Sequence, residues 1–318
     1  MTSPVGLRAS TLASLVVVTA LTLSQAGCNG SSGHGAATCD TSTAPGTVST
    51  VATGVGPSEG IAFLDGELYV SGGSGLRHVG TDGVTTPIAN VPSSIGMVAW
   101  NGALYIASQS DGSPSGFCAP TNHGVIWRVT SSGEATIFAR GFISPNFLVV
   151  TPWNTLLVSD DCYTNKTIFE VDAEGNKSDW SDDVLSANGM GFDPAYGNLF
   201  VVNTFVRTPA LYRIPIEADD APGTATSVAS FASGSTPDGL AVDSNGNVYV
   251  ALNVLGQVAK ITPDGTQTIF ASGLTTPASF AFGDGPDYDA CSMYVTSLTG
   301  DDISRIAVGV TGVPLAGN

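Results

Sequence analysis

Four polar residues occupy the same position of a recurring segment, at the start of an apolar strand, and together they could bind a metal ion. They are Glu59, Asn146, Asn188 and Asp238. Two carboxylates and two amide oxygens are donors that a hard divalent cation such as Ca²⁺ prefers, with water filling the remaining positions. Zinc and copper more often take His or Cys ligands. The pattern therefore predicts a divalent-cation site, with Ca²⁺ as the expected ion and Mg²⁺, Mn²⁺ and Zn²⁺ as open alternatives.

Each of these residues taken alone also fits an ordinary turn. Polar residues that precede a glycine often cap turns or bind neighbouring backbone. The metal-site hypothesis depends on all four occurring at equivalent positions, and the turn interpretation stays open.

The segments that carry these residues recur six times along the chain of 318 residues. Each has an apolar strand, a turn rich in Asp, Asn and Gly, and a second strand such as Leu-Tyr-Val. Equivalent positions lie 36 to 51 residues apart, which suits four-stranded blades, and Ile95 and Ala278 take the position in the other two segments. We therefore predict an all-β, six-bladed β-propeller with the polar residues around its central channel. A β-sandwich is the alternative.

The predicted ring closes through the N-terminal part of the chain. The last segment offers only three strands, whereas a strand of the missing fourth type occurs at residues 47–55. We expect this N-terminal strand to complete blade six, which leaves the ring without an open edge. The predicted organisation is a signal peptide over 1–28, a flexible tether over 29–46 and a propeller over 47–318.

The N-terminal residues resemble a bacterial lipoprotein signal. Arg8 precedes an apolar run over 12–23 that is too short to span a bilayer, and small residues lead to Cys28. Cys28 is the predicted lipidation site, although Gln25 departs from the usual aliphatic residue and leaves cleavage without a lipid open. We expect an exported protein, anchored by lipid at the outer membrane or periplasmic face of the cell envelope, and otherwise secreted. Membrane contact would be through the lipid alone.

Charge and cysteine content narrow the possible partners. The formal net charge of −17 repels phosphate backbones, so nucleic-acid binding is not expected. The four cysteines other than Cys28 suggest two disulfides in an oxidising compartment, and three connectivities are open. Blade topology favours Cys39–Cys291 at the ring closure and Cys118–Cys162 between blades two and three.

Polar residues also end the second strands of four blades, at the channel mouth where the predicted metal site lies. These residues could orient a substrate or bind water, or they could be ordinary loop residues. They are Gln109, Asp160, Asn203 and Asn253.

The four metal-site positions and the phrases SEGIAF, ANGMGF and PDGLAVDSNGNVYVA resemble the senescence marker protein/gluconolactonase/luciferin-regenerating-enzyme family over residues 47–312. The resemblance implies a six-bladed propeller that binds a metal through Glu59, Asn146, Asn188 and Asp238 and hydrolyses lactones or related esters. It also implies that Asp238 takes a proton or attacks the substrate directly, while Glu59 mainly anchors the ion.

One departure from the family pattern concerns the substrate. Sugar lactonases of the family carry an Arg two residues before the first Asn and an Asp directly after it, and this chain has Ser144 and Phe147 there. The groups that would bind sugar hydroxyls are therefore missing, and an apolar ester, a lactone with an alkyl tail or no substrate at all fits equally well.

Two functions from different classes remain. The first is a monomeric, divalent-metal-dependent hydrolase of a small lactone or ester at the cell envelope. The second is a non-catalytic propeller that binds a ligand or a protein and holds a structural metal ion.

Overall fold

Six four-stranded antiparallel sheets make up the fold. The computed structural model describes Met1 and residues 38–73, 75–113, 118, 121–162 and 167–316. The described residues form 24 strands and one short 3₁₀ helix. The first strands of neighbouring blades contact each other all the way round, and blade six returns to blade one. The predicted all-β, six-bladed propeller is therefore confirmed.

The strands follow chain order within each blade except at the closure. Blade one contains β2 (Gly60–Leu64), β3 (Glu67–Gly72), β4 (Gly75–Val79) and β5 (Thr85–Ala89). Blade two contains β6 (Ser94–Trp100), β7 (Ala103–Ser108), β8 (Gly124–Val129) and β9 (Ala135–Phe142). Blade three contains β10 (Pro145–Val150), β11 (Leu156–Asp160), β12 (Ile168–Val171) and β13 (Lys177–Ser181). Blade four contains β14 (Ala187–Phe192), β15 (Asn198–Asn203), β16 (Ala210–Pro215) and β17 (Thr226–Ser230). Blade five contains β18 (Pro237–Val242), β19 (Val248–Leu252), the 3₁₀ helix (Asn253–Leu255), β20 (Gln257–Ile261) and β21 (Gln267–Ser272). Blade six contains β22 (Pro277–Phe282), β23 (Ser292–Ser297), β24 (Asp302–Ala307) and the N-terminal β1 (Val48–Thr53).

Burial falls from the channel axis to the outside of each blade. Every residue of β10 and β11 is buried, whereas β17 has no buried residue. Apolar clusters fill the space between blades; one of them brings Trp100 of blade two against Leu148 of blade three. Sheets buried on both faces explain why the inner strands have continuous apolar runs, while the exposed outer strands alternate with polar residues.

The ring closes as the sequence predicts. Strand β1 pairs antiparallel with β24, so the N-terminal strand supplies the outer edge of blade six. The Cys39–Cys291 disulfide lies at this closure, with its Cα atoms 4.9 Å apart. The predicted Cys118–Cys162 disulfide is also present, with a Cα separation of 5.3 Å, and it joins the loops after β7 and β11.

The predicted tether differs from the structure over residues 38–46. Thr38 forms a β-bridge with Asp289, and the backbone N–H of Asp40 donates to the Asp289 carboxylate at 2.8 Å. These contacts and the adjacent disulfide attach the segment to blade six, although its sequence has no apolar period that would predict burial. The remainder of the tether up to residue 37, the predicted signal peptide beyond Met1 and Cys28 lie outside the described residues. No helix in the described part of the chain is long and apolar enough to cross a membrane.

An apolar cavity of about 400 Å³ lies in the channel. Its lining includes residues two positions after the polar ring residues, and residues 311–316 close its other end. This C-terminal strap is held by the backbone N–H of Val313, which donates to the Val242 carbonyl at 2.9 Å, and by the Tyr196 hydroxyl, which donates to the Pro314 carbonyl at 2.7 Å. Because Val242 belongs to blade five and Tyr196 to blade four, the strap crosses the far mouth of the channel.

Candidate metal and active site at the channel mouth

A β-bulge lies at the ring position of every blade except blade one, where Glu59 directly precedes β2. In blade three, Pro145 pairs with Asp160 and Leu148 pairs with Val158, so Asn146 and Phe147 oppose the single residue between the two partners. The same shift occurs at the ring positions of blades two, four, five and six. Bulges bend a strand and redirect its side chains. The repeated bulge therefore gives the ring residues of blades two to six a common placement at one mouth of the channel, which we call the ring mouth.

Glycines next to the ring residues let the inner strands approach closely. A Cβ added to Gly189 would lie 2.4 Å from the backbone oxygen of Asp238, and one added to Gly96 would lie 2.2 Å from the backbone oxygen of Asn146. The glycine of one blade thus packs against the ring residue of the next blade. This contact explains why glycine follows the ring position in four of the six segments.

Hydrogen bonds connect the ring residues across the blades. The Asn146 amide nitrogen donates to Glu59 Oε1 at 3.3 Å and to Asp161 Oδ2 at 3.1 Å. The Asn253 amide nitrogen donates to Asp238 Oδ2 at 3.1 Å. All of these side chains are buried. The structure therefore brings the predicted ring together and adds a third carboxylate, Asp161.

Burial and mutual repulsion keep protons on this cluster at neutral pH. Burial raises the pKa of Asp238 to about 7, and the charge of Asp161 raises it too, while hydrogen bonds from Asn253 and Asn188 lower it. Burial likewise raises the pKa of Asp161 to about 7, against a lowering by its hydrogen bond with Ser144. The pKa of Glu59 is raised well above its ordinary value by burial and then by the charges of Asp238 and Asp161.

The residues present fit a bound divalent cation. Asn188 Oδ1 and Asp161 Oδ1 are buried without a hydrogen-bond partner among the described residues. Buried acceptors without partners are costly. Within the described part of the chain, no Lys, Arg or His forms an ion pair with Glu59, Asp161 or Asp238. A hard cation ligated by these oxygens would satisfy the orphan acceptors and offset the repulsion.

Another group of potential ligand atoms has a structural role instead. Cys39, Asp289 and Cys291 lie close together at the ring closure. The two sulfurs form the disulfide, and Asp289 Oδ2 lies 2.6 Å from the guanidinium of Arg305. Neither thiolate nor free carboxylate is therefore available to bind a metal there.

The four residues predicted to bind substrate are engaged with the protein. Asp160 Oδ2 accepts from the backbone N–H groups of Ile143 and Ser144 at 3.1 and 2.9 Å. Asn203 Oδ1 accepts from the backbone N–H of Ala210 at 2.8 Å. These two side chains stabilise loops at the ring mouth.

The other two support the ring from outside. Gln109 donates to the Ser144 hydroxyl at 3.0 Å, and Ser144 in turn hydrogen-bonds Asp161. Asn253 holds Asp238, as described above, and also donates to the Pro277 carbonyl at 3.1 Å. Direct contact of any of the four with a substrate stays a prediction.

Asp161 is the ring residue that sequence reasoning missed. It directly follows Asp160, the last residue of β11, and the Asp160–Asp161 pair was the available signal. Phe147, which stands where the family pattern has an Asp, is buried among the apolar residues between blades three and four. The second carboxylate near Asn146 thus comes from the end of the neighbouring strand.

The chain matches the model of the SMP-30/gluconolactonase/LRE-like region over residues 81–299. It is 34% identical over 134 residues to 6-deoxy-6-sulfogluconolactonase of Pseudomonas putida, a match that covers 41% of this chain and 44% of that protein. The chain therefore spans less than half the length of this curated relative.

Solved structures share the fold at low identity. A gluconolactonase from Xanthomonas campestris aligns with a TM-score of 0.66 and 17% identity, covering 86% of this chain and 98% of that chain. A calcium-binding protein, regucalcin, from Agrobacterium tumefaciens aligns with a TM-score of 0.63 and 18% identity, covering 88% and 95%. At such identities the likeness shows the architecture alone. Six blades, a polar ring at one mouth and the match over residues 81–299 together show that the chain belongs to the SMP-30/gluconolactonase/LRE-like family.

Proposed function

We propose that this protein hydrolyses a small lactone or ester with the help of a divalent cation at the ring mouth. The observation that carries the proposal is the buried cluster of Glu59, Asp161 and Asp238, which has two orphan acceptor atoms around it and no basic partner among the described residues. Such a cluster is unfavourable without a cation and well suited to one. Relatives described as lactonases and a calcium-binding neighbour support the choice of reaction and ion.

Glu59, Asp161, Asp238 and the oxygens of Asn146 and Asn188 are the residues that would hold the cation. When bound, the ion supplies Lewis acidity toward a carbonyl oxygen and toward water. Ca²⁺ is the ion we propose.

Asp238 is the proposed general base. A bound cation would keep Asp238 ionised, and an ionised carboxylate beside the reacting water can accept its proton. Asn253 fixes one oxygen of this carboxylate through its 3.1 Å hydrogen bond. Asn146 bridges Glu59 and Asp161 and thereby fixes the opposite side of the ring.

The reaction adds one water across the acyl C–O bond. The water oxygen bonds to the carbonyl carbon, and Asp238 takes its proton. The C–O bond of the ring or ester then breaks, and the leaving oxygen receives the proton held by Asp238. A lactone thus gives a hydroxy acid, which ionises to a hydroxycarboxylate and a proton near neutral pH.

A panel of lactones and aryl esters, assayed with Ca²⁺ or with EDTA, tests this function. We expect turnover that EDTA abolishes and that Asp238→Ala lowers by at least 100-fold, because a positioned base contributes about 10²–10⁴ in rate. Asp65→Ala, in an exposed turn at the far end of blade one, is the control and should retain full activity. Metal-dependent thermal stability without turnover of any substrate would favour the non-catalytic binding propeller.

We also propose that the protein is exported, acts as a monomer and is lipid-anchored through Cys28. Two disulfides suit an oxidising compartment. Labelling with a palmitate analogue in a bacterial host should mark the wild type and leave Cys28→Ala unlabelled; equal labelling of both would contradict the anchor.

A further inference from the structure

Exposed apolar side chains collect at the ring mouth. Connections that follow the second or fourth strand of a blade lie at this mouth, because each first strand begins there. Among the described residues, five large apolar side chains that are exposed to solvent occur in these connections. They are Leu185, Phe205, Val254, Leu255 and Leu298. Scattered exposed apolar residues are ordinary, but a group beside a polar site indicates a binding surface.

Three of these residues, which we call the apolar rim, belong to blades five and six. Val254 is 63% exposed, Leu255 48% and Leu298 37%. Val254 and Leu255 follow Asn253 in the short 3₁₀ helix, and Asn253 holds Asp238. The exposed side chains of the helix therefore lie one and two residues from a group that contacts the proposed base.

Hydrogen bonds fix the rim to the strands that begin at the ring. The backbone N–H of Val254 donates to the Thr236 hydroxyl at 3.1 Å, two residues before Asp238. The backbone N–H of Leu298 donates to the Thr276 carbonyl at 2.9 Å, two residues before Ala278. The rim is thus held in place relative to the ring positions of blades five and six.

The ring positions of blades three and six differ in polarity. Blade three contributes Asn146 and Asp161 to the ring, with Gln109 and Ser144 behind them. The ring position of blade six is the buried, apolar Ala278. A ligand that reacts at Asp238 would therefore have Ala278 and the apolar rim on its blade-six side.

We propose that the substrate is a lactone or ester with an apolar chain, which lies over the apolar rim while the reacting carbonyl is at the ring. This inference rests on the proposed hydrolase function and names its substrate class. A polyhydroxylated lactone would place hydroxyls against Val254, Leu255 and Leu298, where no side chain of the rim can hydrogen-bond them. The apolar chain of the substrate lies on the rim rather than in the channel cavity, because the cavity is lined by residues that follow the ring residues, further along the channel from the ring mouth.

The proposal is tested by varying the length of the apolar chain of the substrate. We would measure kcat/KM of the wild type with Ca²⁺ on γ-butyrolactone, γ-hexalactone and γ-nonalactone, and on D-glucono-1,5-lactone. Burial of a methylene favours binding by about two- to fourfold, so kcat/KM should rise by about that factor per methylene and exceed the value for the sugar lactone.

Variants of the apolar rim test whether its side chains cause the dependence of kcat/KM on the length of the substrate's apolar chain. In Leu255→Ser/Leu298→Ser, the ratio of kcat/KM for γ-nonalactone to that for γ-butyrolactone should fall by about tenfold. Ile269→Ser is the matched control, since Ile269 is 52% exposed but lies on β21, the outermost strand of blade five. It should leave both the ratio and the activity unchanged.

The outcomes separate this inference from the function on which it rests. Turnover with no dependence on chain length, a preference for the sugar lactone, or an unchanged ratio in the rim variant would overturn the apolar-chain substrate and leave the hydrolase standing. Absence of turnover on every lactone and ester, with Ca²⁺ present, would overturn both.

Discussion

Replacing Asp161 by Asn should stabilise the cation-free protein, by an amount that grows as pH rises above about 4. Burial raises the pKa of Asp161 from 3.8 to about 7. The folded state therefore keeps its proton over a range where the unfolded state loses it, and the free energy of unfolding falls as pH rises from about 4 to 7. A shift of about three units corresponds to about 4 kcal/mol at pH 8. We expect Asp161→Asn to recover about 2–4 kcal/mol there, since Asn is neutral and nearly isosteric.

Urea unfolding in EDTA at several values between pH 4.5 and 8.5 measures this effect. The difference in unfolding free energy between Asp161→Asn and the wild type should be smallest at the acid end and largest at pH 8. Asp65→Asn, in an exposed turn, serves as the control and should run parallel to the wild type.

Added Ca²⁺ should make the wild type more stable than Asp161→Asn. The wild type gains stability by mass action, about 2.7 kcal/mol at a concentration 100 times Kd, whereas the variant loses a ligand and gains less. Parallel pH profiles for the variant and the wild type in EDTA would refute the argument that Asp161 carries an uncompensated charge.

Three further predictions follow from the geometry around the ring. Asn253→Ala removes the hydrogen bond to Asp238 and should weaken Ca²⁺ affinity by about 10- to 100-fold, measured by calorimetry; an unchanged Kd would contradict its supporting role. Gly189→Ala should lower the free energy of unfolding by at least about 1–3 kcal/mol, because its Cβ would lie 2.4 Å from the Asp238 backbone oxygen. Gly197→Ala, which has no atom within 4 Å of its added Cβ, is the control, and an equal loss in both would argue against the close inter-blade contact. Ending the chain before the C-terminal strap, residues 311–316, should open the channel cavity and increase the fluorescence of an apolar dye; no increase would show that the strap does not cover it.

Ring positions and blade order were predictable because they depend on local patterns that repeat. Glu59, Asn146, Asn188 and Asp238 each stand beside an inner strand whose apolar run is read directly from the chain. Asp161 was not predictable by the same reasoning. It lies one residue beyond the end of β11, and no carboxylate follows the equivalent residues Gln109, Asn203 and Asn253.

The roles of the strand-end residues also could not be predicted without the tertiary structure. Asp160, Asn203 and Asn253 have similar positions in the sequence, but their hydrogen bonds differ. Asp160 and Asn203 bind backbone N–H groups of loops, whereas Asn253 reaches Asp238. A side-chain amide or carboxylate binds whichever partner lies within about 3 Å, and that partner is set by neighbouring blades rather than by neighbouring residues.

The sequence by itself determined the six repeats, the closing N-terminal strand and four residues of the ring, because strand periodicity and repeat length are local properties. It favoured the two disulfide pairs through the predicted blade order and left the other connectivities open. Only the tertiary structure decided that residues 38–46 attach to blade six, that Asp161 joins the ring and that an apolar rim borders blades five and six. Each of these depends on contacts between residues far apart in the chain, and the distances that create orphan acceptors and raise carboxylate pKa values exist only once the ring has closed.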